Sequence, residues 1–151
     1  TGALLAACGG ASDDTSADGA GGEVTLTVDL FGSFGYKEAG LYAEYEKLHP
    51  GVTIKQTDTE DEADYWKSLQ TRLAGGAGLA DVQGIEVGRI ASVTQQQADR
   101  FEDLRKYGAD SLKDQFAPAK WAAASGKGGE VLGLGTDVGP EAMCYRTDLF
   151  K

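Results

Sequence analysis

The chain has 151 residues, 22 of them Gly, and sets 24 Asp and Glu against 14 Lys and Arg for a formal net charge of -10. This is one domain's worth of chain, and a hydrophobic share of 41% suffices for a core, which excludes a wholly disordered protein. The acidic balance excludes a nucleic-acid footprint, because phosphate contacts need Lys or Arg and no basic stripe is present.

Residues 1–10 read T-G-A-L-L-A-A-C-G-G. The run is too short to cross a membrane, which takes ~20 apolar residues, but it has the texture of the end of a secretory signal. Leu5-Ala6-Ala7-Cys8 resembles the lipobox of bacterial lipoprotein signals. The resemblance implies that residues 1–8 end such a signal, that its charged beginning lies upstream, and that a lipid on Cys8 anchors the protein to the cell membrane. Residues 9–22 contain no side chain larger than Thr or Asp and no apolar one larger than Ala. They cannot bury enough surface to offset their ordering entropy and read as a disordered tether.

Residues 23–136 form the expected folded lobe. Glu23 to Phe31 alternates apolar with polar residues and is rich in β-branched side chains, the period-2 mark of a strand. Gly32 to Gly35 makes a loop, and Leu41, Tyr45 and Leu48 then recur at helical spacing until His49-Pro50-Gly51 stops the helix. Val52 to Asp58 is a second strand. Asp64 is placed to cap a helix with Trp66, Leu69 and Leu73 on one face, ended by Gly75-Gly76. Ala80 to Val87 reads as a third strand and Arg89 to Ala98 as a third helix. Ser111 is placed to cap a helix carrying Leu112, Phe116 and Trp121. Gly126 to Gly129 turns into a short hairpin strand over Val131 to Leu134, and Asp137 to Phe150 passes through Met143, Cys144 and Tyr145 as a buried strand.

Strands alternating with helices imply a parallel sheet with right-handed crossovers, an open α/β lobe. In such sheets ligands bind beyond the carboxyl ends of the strands. Here that means the loops after Leu30, Thr57 and Ile85.

Catalytic and metal motifs are sparse. His49 is the only His and sits where a helix ends, as a partner for the helix dipole, so Ser-His-Asp and Cys-His chemistry lack a placed base. Cys8 and Cys144 have no zinc-ligand spacing and lie too far apart in sequence to read as a disulfide framework. The acidic run from Asp58 to Asp64 carries Ala63 where a calcium loop needs Gly, and reads as a solvated helix start. The glycine clusters match neither the dinucleotide fingerprint nor the P-loop, so no cofactor and no metal is expected. Phe31 and Phe34 flank the turn after the first strand, where the rings either enter the core or offer a flat face to the C–H side of a sugar.

The last stretch, Asp137-Val138-Gly139-Pro140 through Tyr145-Arg146-Thr147-Asp148-Leu149-Phe150, resembles the extracellular solute-binding proteins of carbohydrate ABC importers. Lys47-Leu48-His49-Pro50-Gly51-Val52 and Ala80-Asp81-Val82 fit the same family in the same order. Gly135 stands where the family usually has Pro, and Cys144 where it has an aromatic or aliphatic residue. The resemblance implies a periplasmic-binding-protein-like (type II) lobe, a mostly parallel sheet flanked by helices, with the second lobe absent from this chain and residues 137–151 forming the hinge or crossover. It implies a receptor without catalytic activity that closes a cleft on a sugar or oligosaccharide and delivers it to a membrane permease. Its ligand contacts are carried over to Phe31, Gly32, Ser33 and Phe34, to Asp58, to Glu86, Val87, Gly88 and Arg89, and to Asp137, Gly139 and Pro140. Carboxylates such as Glu86 and Asp137 accept hydrogen bonds from sugar hydroxyls; Trp66 and Trp121 belong to the core or its rim. The alternatives are the same fold with a peptide, polyamine or glycerol-phosphate solute, and a secreted α/β hydrolase.

Overall fold

The computed structural model describes residues 22–137, 139 and 144–149. Cys8, the tether up to Gly21, Pro140 and Met143 lie outside the described residues.

Three parallel strands form the sheet in the order β2-β1-β3. β1 (Val24–Phe31) pairs along its whole length with β2 (Val52–Thr59), from Val24 opposite Val52 to Phe31 opposite Thr59. Between them α1 (Leu41–Leu48) makes the crossover. Its apolar stripe is largely in solvent, with Leu48 69% exposed. It is tied to β2 by polar contacts, in which the Tyr42 hydroxyl donates to Gln56 Oε1 and Ile54 N–H donates to Glu46 Oε1 at 2.7 Å.

α2 (Glu62–Gly75) covers the sheet face that carries Asp29 and Phe31. Tyr65, Leu69 and Leu73 recur every four residues, share one helix face and are all buried; Trp66 packs against them from the side. The cap is Asp61, whose carboxylate accepts from Asp64 N–H at 2.9 Å, and not Asp64 itself. At the far end Gly76 adopts φ 66° and its N–H closes on Arg72 O, a left-handed C-terminus that glycine takes at no steric cost.

The expected third strand over Ala80 to Val87 is reduced to β3 (Val82–Gln83). Its beginning is held by a side chain, the Asp81 carboxylate accepting from Thr27 N–H at 2.7 Å and from the Thr27 hydroxyl at 2.6 Å, which holds the Asp81 carboxyl below its usual range. Its end is drawn into α3 (Val87–Gln96), because the Glu86 carboxylate caps Gly88 N–H and starts the helix two residues before Arg89. α3 lies beside α2, joined by the Arg89–Glu62 ion pair and by Gln97 Nε2 donating to Gln70 Oε1.

The C-terminal third departs most from expectation. No continuous helix starts at Ser111, whose hydroxyl donates backward to Gly108 O. The segment winds through three 3-10 turns, Ala98–Arg100, Leu104–Tyr107 and Ala109–Gln115, before α4 (Pro118–Ala123) begins with Pro at its start. Proline disfavours helical backbone in the residue before it, and Ala117 is extended rather than helical. The hairpin strand at Val131 is a single antiparallel bridge to Ser125. Cys144, Tyr145 and Leu149 are exposed, and among the described residues this stretch forms no strand.

Asp29 is 5% exposed in the middle of β1, and its Oδ2 lies 2.6 Å from Arg72 Nη2. Removing one member of such a pair leaves an uncompensated buried charge, a loss of about 3–5 kcal/mol, whereas replacing both by apolar groups recovers most of it. Urea unfolding should show Arg72→Met destabilised by about that amount and the double variant Asp29→Leu/Arg72→Met restored toward the parent. Equal losses in the single and double variants would mean that the charge pair is not the source of the effect.

Candidate functional site

The carboxyl ends of β1 and β2 are drawn together by Gly32 N–H, which donates to Thr59 O at 2.9 Å. From this joint an aromatic series runs outward. Phe34 meets Phe31 edge-on at 5.3 Å, Tyr36 follows Phe34 at 5.7 Å, and Tyr42 follows Tyr36 at 6.2 Å. Phe31 resolves toward the core, packing on Tyr65 and its cluster, while Phe34 and Tyr36 line an open cavity. Ser33 is exposed beside them.

The polar end of this series is on β2. Asp58 and Gln56 lie on one face of the strand by the two-residue period, and Gln56 Nε2 donates to both Asp58 oxygens, at 2.7 and 2.9 Å. Gln56 in turn accepts from Tyr42. Burial raises the Tyr42 phenol pKa above its ordinary value, and the neighbouring Asp58, Tyr36 and Glu38 push it further in the same direction. The four groups therefore share one electrostatic environment.

At the end of β3 the expected residues have other work. Glu86 is the cap of α3. Val87 is 60% exposed, and Gly88 donates its N–H to the cap. Arg89 pairs with Glu62 at 3.2 Å and lies 5.6 Å from the Trp66 ring centre, a cation–π arrangement. Asp137 and Gly139 are exposed; Thr136, next to Asp137, lines the same cavity as Phe34 and Tyr36. The structure thus groups Phe31 to Phe34 with Asp58 at one edge of the mouth and Glu86 to Arg89 at the start of α3. Tyr36, Tyr42 and Gln56 were missed by the sequence reading, although Gln56 is two residues before Asp58 and so shares its strand face.

The cavity itself, about 590 Å³, follows β3 between the sheet and α3, α4 and residues 132–136. Its walls include Val28, Leu30, Ile90, Val93, Phe101 and Leu132. Of the polar groups at its edge, Asp81 is engaged by Thr27, and Gln83 accepts from the Tyr65 hydroxyl while donating to Ala80 O.

An open α/β lobe with an aromatic and carboxylate-bearing mouth beyond its parallel strands is the architecture of a ligand-binding lobe. The model of the bacterial extracellular solute-binding protein family matches residues 40–151, and the chain belongs to that family, whose members are solute receptors that work outside the cytoplasm. Among solved structures, an extracellular solute-binding protein of family 1 is 45% identical, with a TM-score of 0.77 over 84% of this chain and 32% of that one. The galacto-N-biose/lacto-N-biose I-binding protein of an ABC transporter from Bifidobacterium longum is 22% identical, with a TM-score of 0.56 over 75% of this chain and 28% of its own. A periplasmic oligogalacturonide-binding protein from Yersinia enterocolitica is 23% identical, with a TM-score of 0.53 over 72% and 26%. At those identities the last two show the fold alone. The chain spans about a third of the length of the first of these structures. Comparison with curated proteins gives no match.

If Asp58 is one source of the Tyr42 perturbation, removing its charge stabilises the phenolate. An ultraviolet or NMR titration should find the Tyr42 pKa lower in Asp58→Asn than in the parent but still raised, since burial is the larger cause. An unchanged midpoint would detach Asp58 from Tyr42.

Proposed function

We propose that this chain supplies one lobe of a sugar-binding receptor of an ABC importer, holding a sugar or oligosaccharide at the carboxyl ends of its strands and presenting it to a membrane permease. The observation that carries the reading is the mouth itself, with Phe34 and Tyr36 beside the Gln56–Asp58 pair. An aromatic face receives the C–H side of a sugar ring, and a carboxylate accepts its hydroxyls. The same fold carries a carbohydrate ligand in two structural neighbours, so the fold can accommodate one. The proposed division of the chain is a signal end at 1–8, a tether at 9–22, the lobe at 23–136 and a hinge or crossover at 137–151. A second lobe would complete the cleft, and ligand contacts to both lobes would favour closure. Within the mouth Phe34, Ser33 and Asp58 take the ligand-contact role. Phe31 supports Phe34 from the core side and Gly32 ties the loop to β2; by the family resemblance Glu86, Val87, Gly88, Arg89, Asp137 and Gly139 would complete the rim, together with Pro140, which lies outside the described residues. Lipid on Cys8 would keep the receptor at the membrane.

The test is a ligand panel on the full-length product that carries this chain. A bound ligand at ~100 times its dissociation constant adds about 2.7 kcal/mol of stability, seen as a raised melting temperature. A sugar should produce the shift, and Phe34→Ala should weaken that sugar by about tenfold through loss of its stacking face. A shift from a polyamine or peptide and none from any sugar would overturn the carbohydrate assignment. Cys8→Ser should move the protein from the membrane fraction to the soluble one; retention of the variant in membranes would remove Cys8 as the anchor.

A further inference from the structure

The polar end of the mouth has a hydrogen-bonding polarity, and this inference rests on the sugar-binding reading above. A tyrosine has one O–H donor, a carboxylate has none, and an amide has both kinds of group. The Tyr42 donor is turned inward to Gln56 Oε1, and the Gln56 amide N–H is turned onto Asp58, contacting both of its oxygens. Asp58 itself is exposed, while Tyr42 and Gln56 are half-buried behind it. What this chain of bonds leaves for a ligand is lone pairs, on a carboxylate held in place from behind.

The charged groups that act on Tyr42 agree in sign. Glu38 lies close enough to raise the Tyr42 pKa together with Asp58. Arg89 is engaged by Glu62 and Trp66. Lys37 is exposed in the same loop and stands next to Glu38 in sequence, so the two carboxylates outnumber it. A ligand carboxylate or phosphate brought here would meet acceptors and negative charge, an arrangement that costs binding instead of adding to it. A hydroxyl would meet an oriented, charged acceptor, the stronger kind of hydrogen bond.

We propose that the Tyr42–Gln56–Asp58 chain makes this lobe selective for sugars that present hydroxyl donors and carry no anionic group. Asp58 is the contacting group and Gln56 the positioning residue. Uronic acids and phosphorylated sugars are the ligands it disfavours.

Calorimetry on the full-length product that carries this chain, with maltose, cellobiose, lactose and digalacturonic acid as probes, decides the matter. The best neutral disaccharide should bind about tenfold or more tightly than digalacturonic acid, one charge-assisted hydrogen bond's worth of discrimination. Asp58→Asn puts an N–H donor where only acceptors stood, and should narrow that ratio to about threefold or less. Gln56→Leu should narrow it as well, because the carboxylate loses its fixed orientation; a merely structural role for Gln56 would weaken both probes equally. Melting curves of the unliganded variants check that each is folded. Digalacturonic acid binding as tightly as the neutral sugars, or a ratio unmoved by Asp58→Asn, would overturn the selectivity while leaving the sugar receptor standing. Binding of none of these sugars alongside tight binding of a polyamine or peptide would overturn the sugar reading and the selectivity together.

Discussion

Three elements meet at Asp29. Its main-chain oxygen accepts from Gly84 N–H at 2.8 Å, which brings in the chain after β3, and from the Tyr65 hydroxyl at 3.0 Å, which brings in α2. Its side chain pairs with Arg72 two turns further along the same helix. A buried carboxylate is a costly way to join elements, since its desolvation offsets much of the attraction to the guanidinium. It does, however, fix register, because a one-residue slip of β1 would turn Asp29 to the opposite face and leave Arg72 without its partner. The position of the mouth follows from that register, since Phe31 and the loop beyond it begin two residues later.

The elements near this junction were the most legible in the sequence, for a physical reason. β1 and β2 pair over eight residues each, long enough for the alternation of faces to show, and α2 has three buried residues at four-residue spacing ended by glycine. Where the structure departs, two local signals competed. Asp61 and Asp64 stand three apart, so either could cap, and the carboxylate that reaches the third amide onward is Asp61. The apolar run of Ala80 to Val87 is compatible with a strand, but Glu86 inside it is also a helix cap, and only Val82 and Gln83 pair with β1. In the last third, Pro118 marks a helix start and so an end to anything before it. That signal outweighs the periodicity of Leu112 and Phe116, of which Leu112 sits in a 3-10 turn and Phe116 in extended backbone just past its end.

The candidate site was half legible. Loops beyond the strand ends could be named from topology alone; Phe34 lies in the loop after β1, whereas Asp58 lies inside β2, one residue before its end. Tyr36, Tyr42 and Gln56 escaped because their relation is tertiary. Tyr42 belongs to α1 and Gln56 to β2, fourteen residues apart, and only the crossover brings them into contact. Glu86 illustrates the converse, since a carboxylate at the end of a strand in an α/β protein looks free for a ligand until the helix that follows is seen to need a cap.

The cavity and the proposed recognition surface are separated in this lobe. The cavity along β3 is walled mainly by apolar side chains, with Asp81, Gln83, Arg100, Glu102, Lys120 and Thr136 also lining it; a sugar hydroxyl turned onto its apolar wall would lose hydrogen bonds to water at roughly 1–3 kcal/mol each. The mouth offers a flat apolar face and oriented acceptors within one neighbourhood, the pair of features the proposed sugar contact needs. Phe34 and Tyr36 belong to both, lining the cavity on one side and joining the aromatic series on the other. The aromatic loop is therefore the boundary between the apolar cavity and the proposed solute contact. Its anchorage, through Gly32 to Thr59 and through Phe31 to the Tyr65 cluster, sets the distance between the ring face and the Asp58 carboxylate. That distance depends in the end on the same strand register that Asp29 and Arg72 hold.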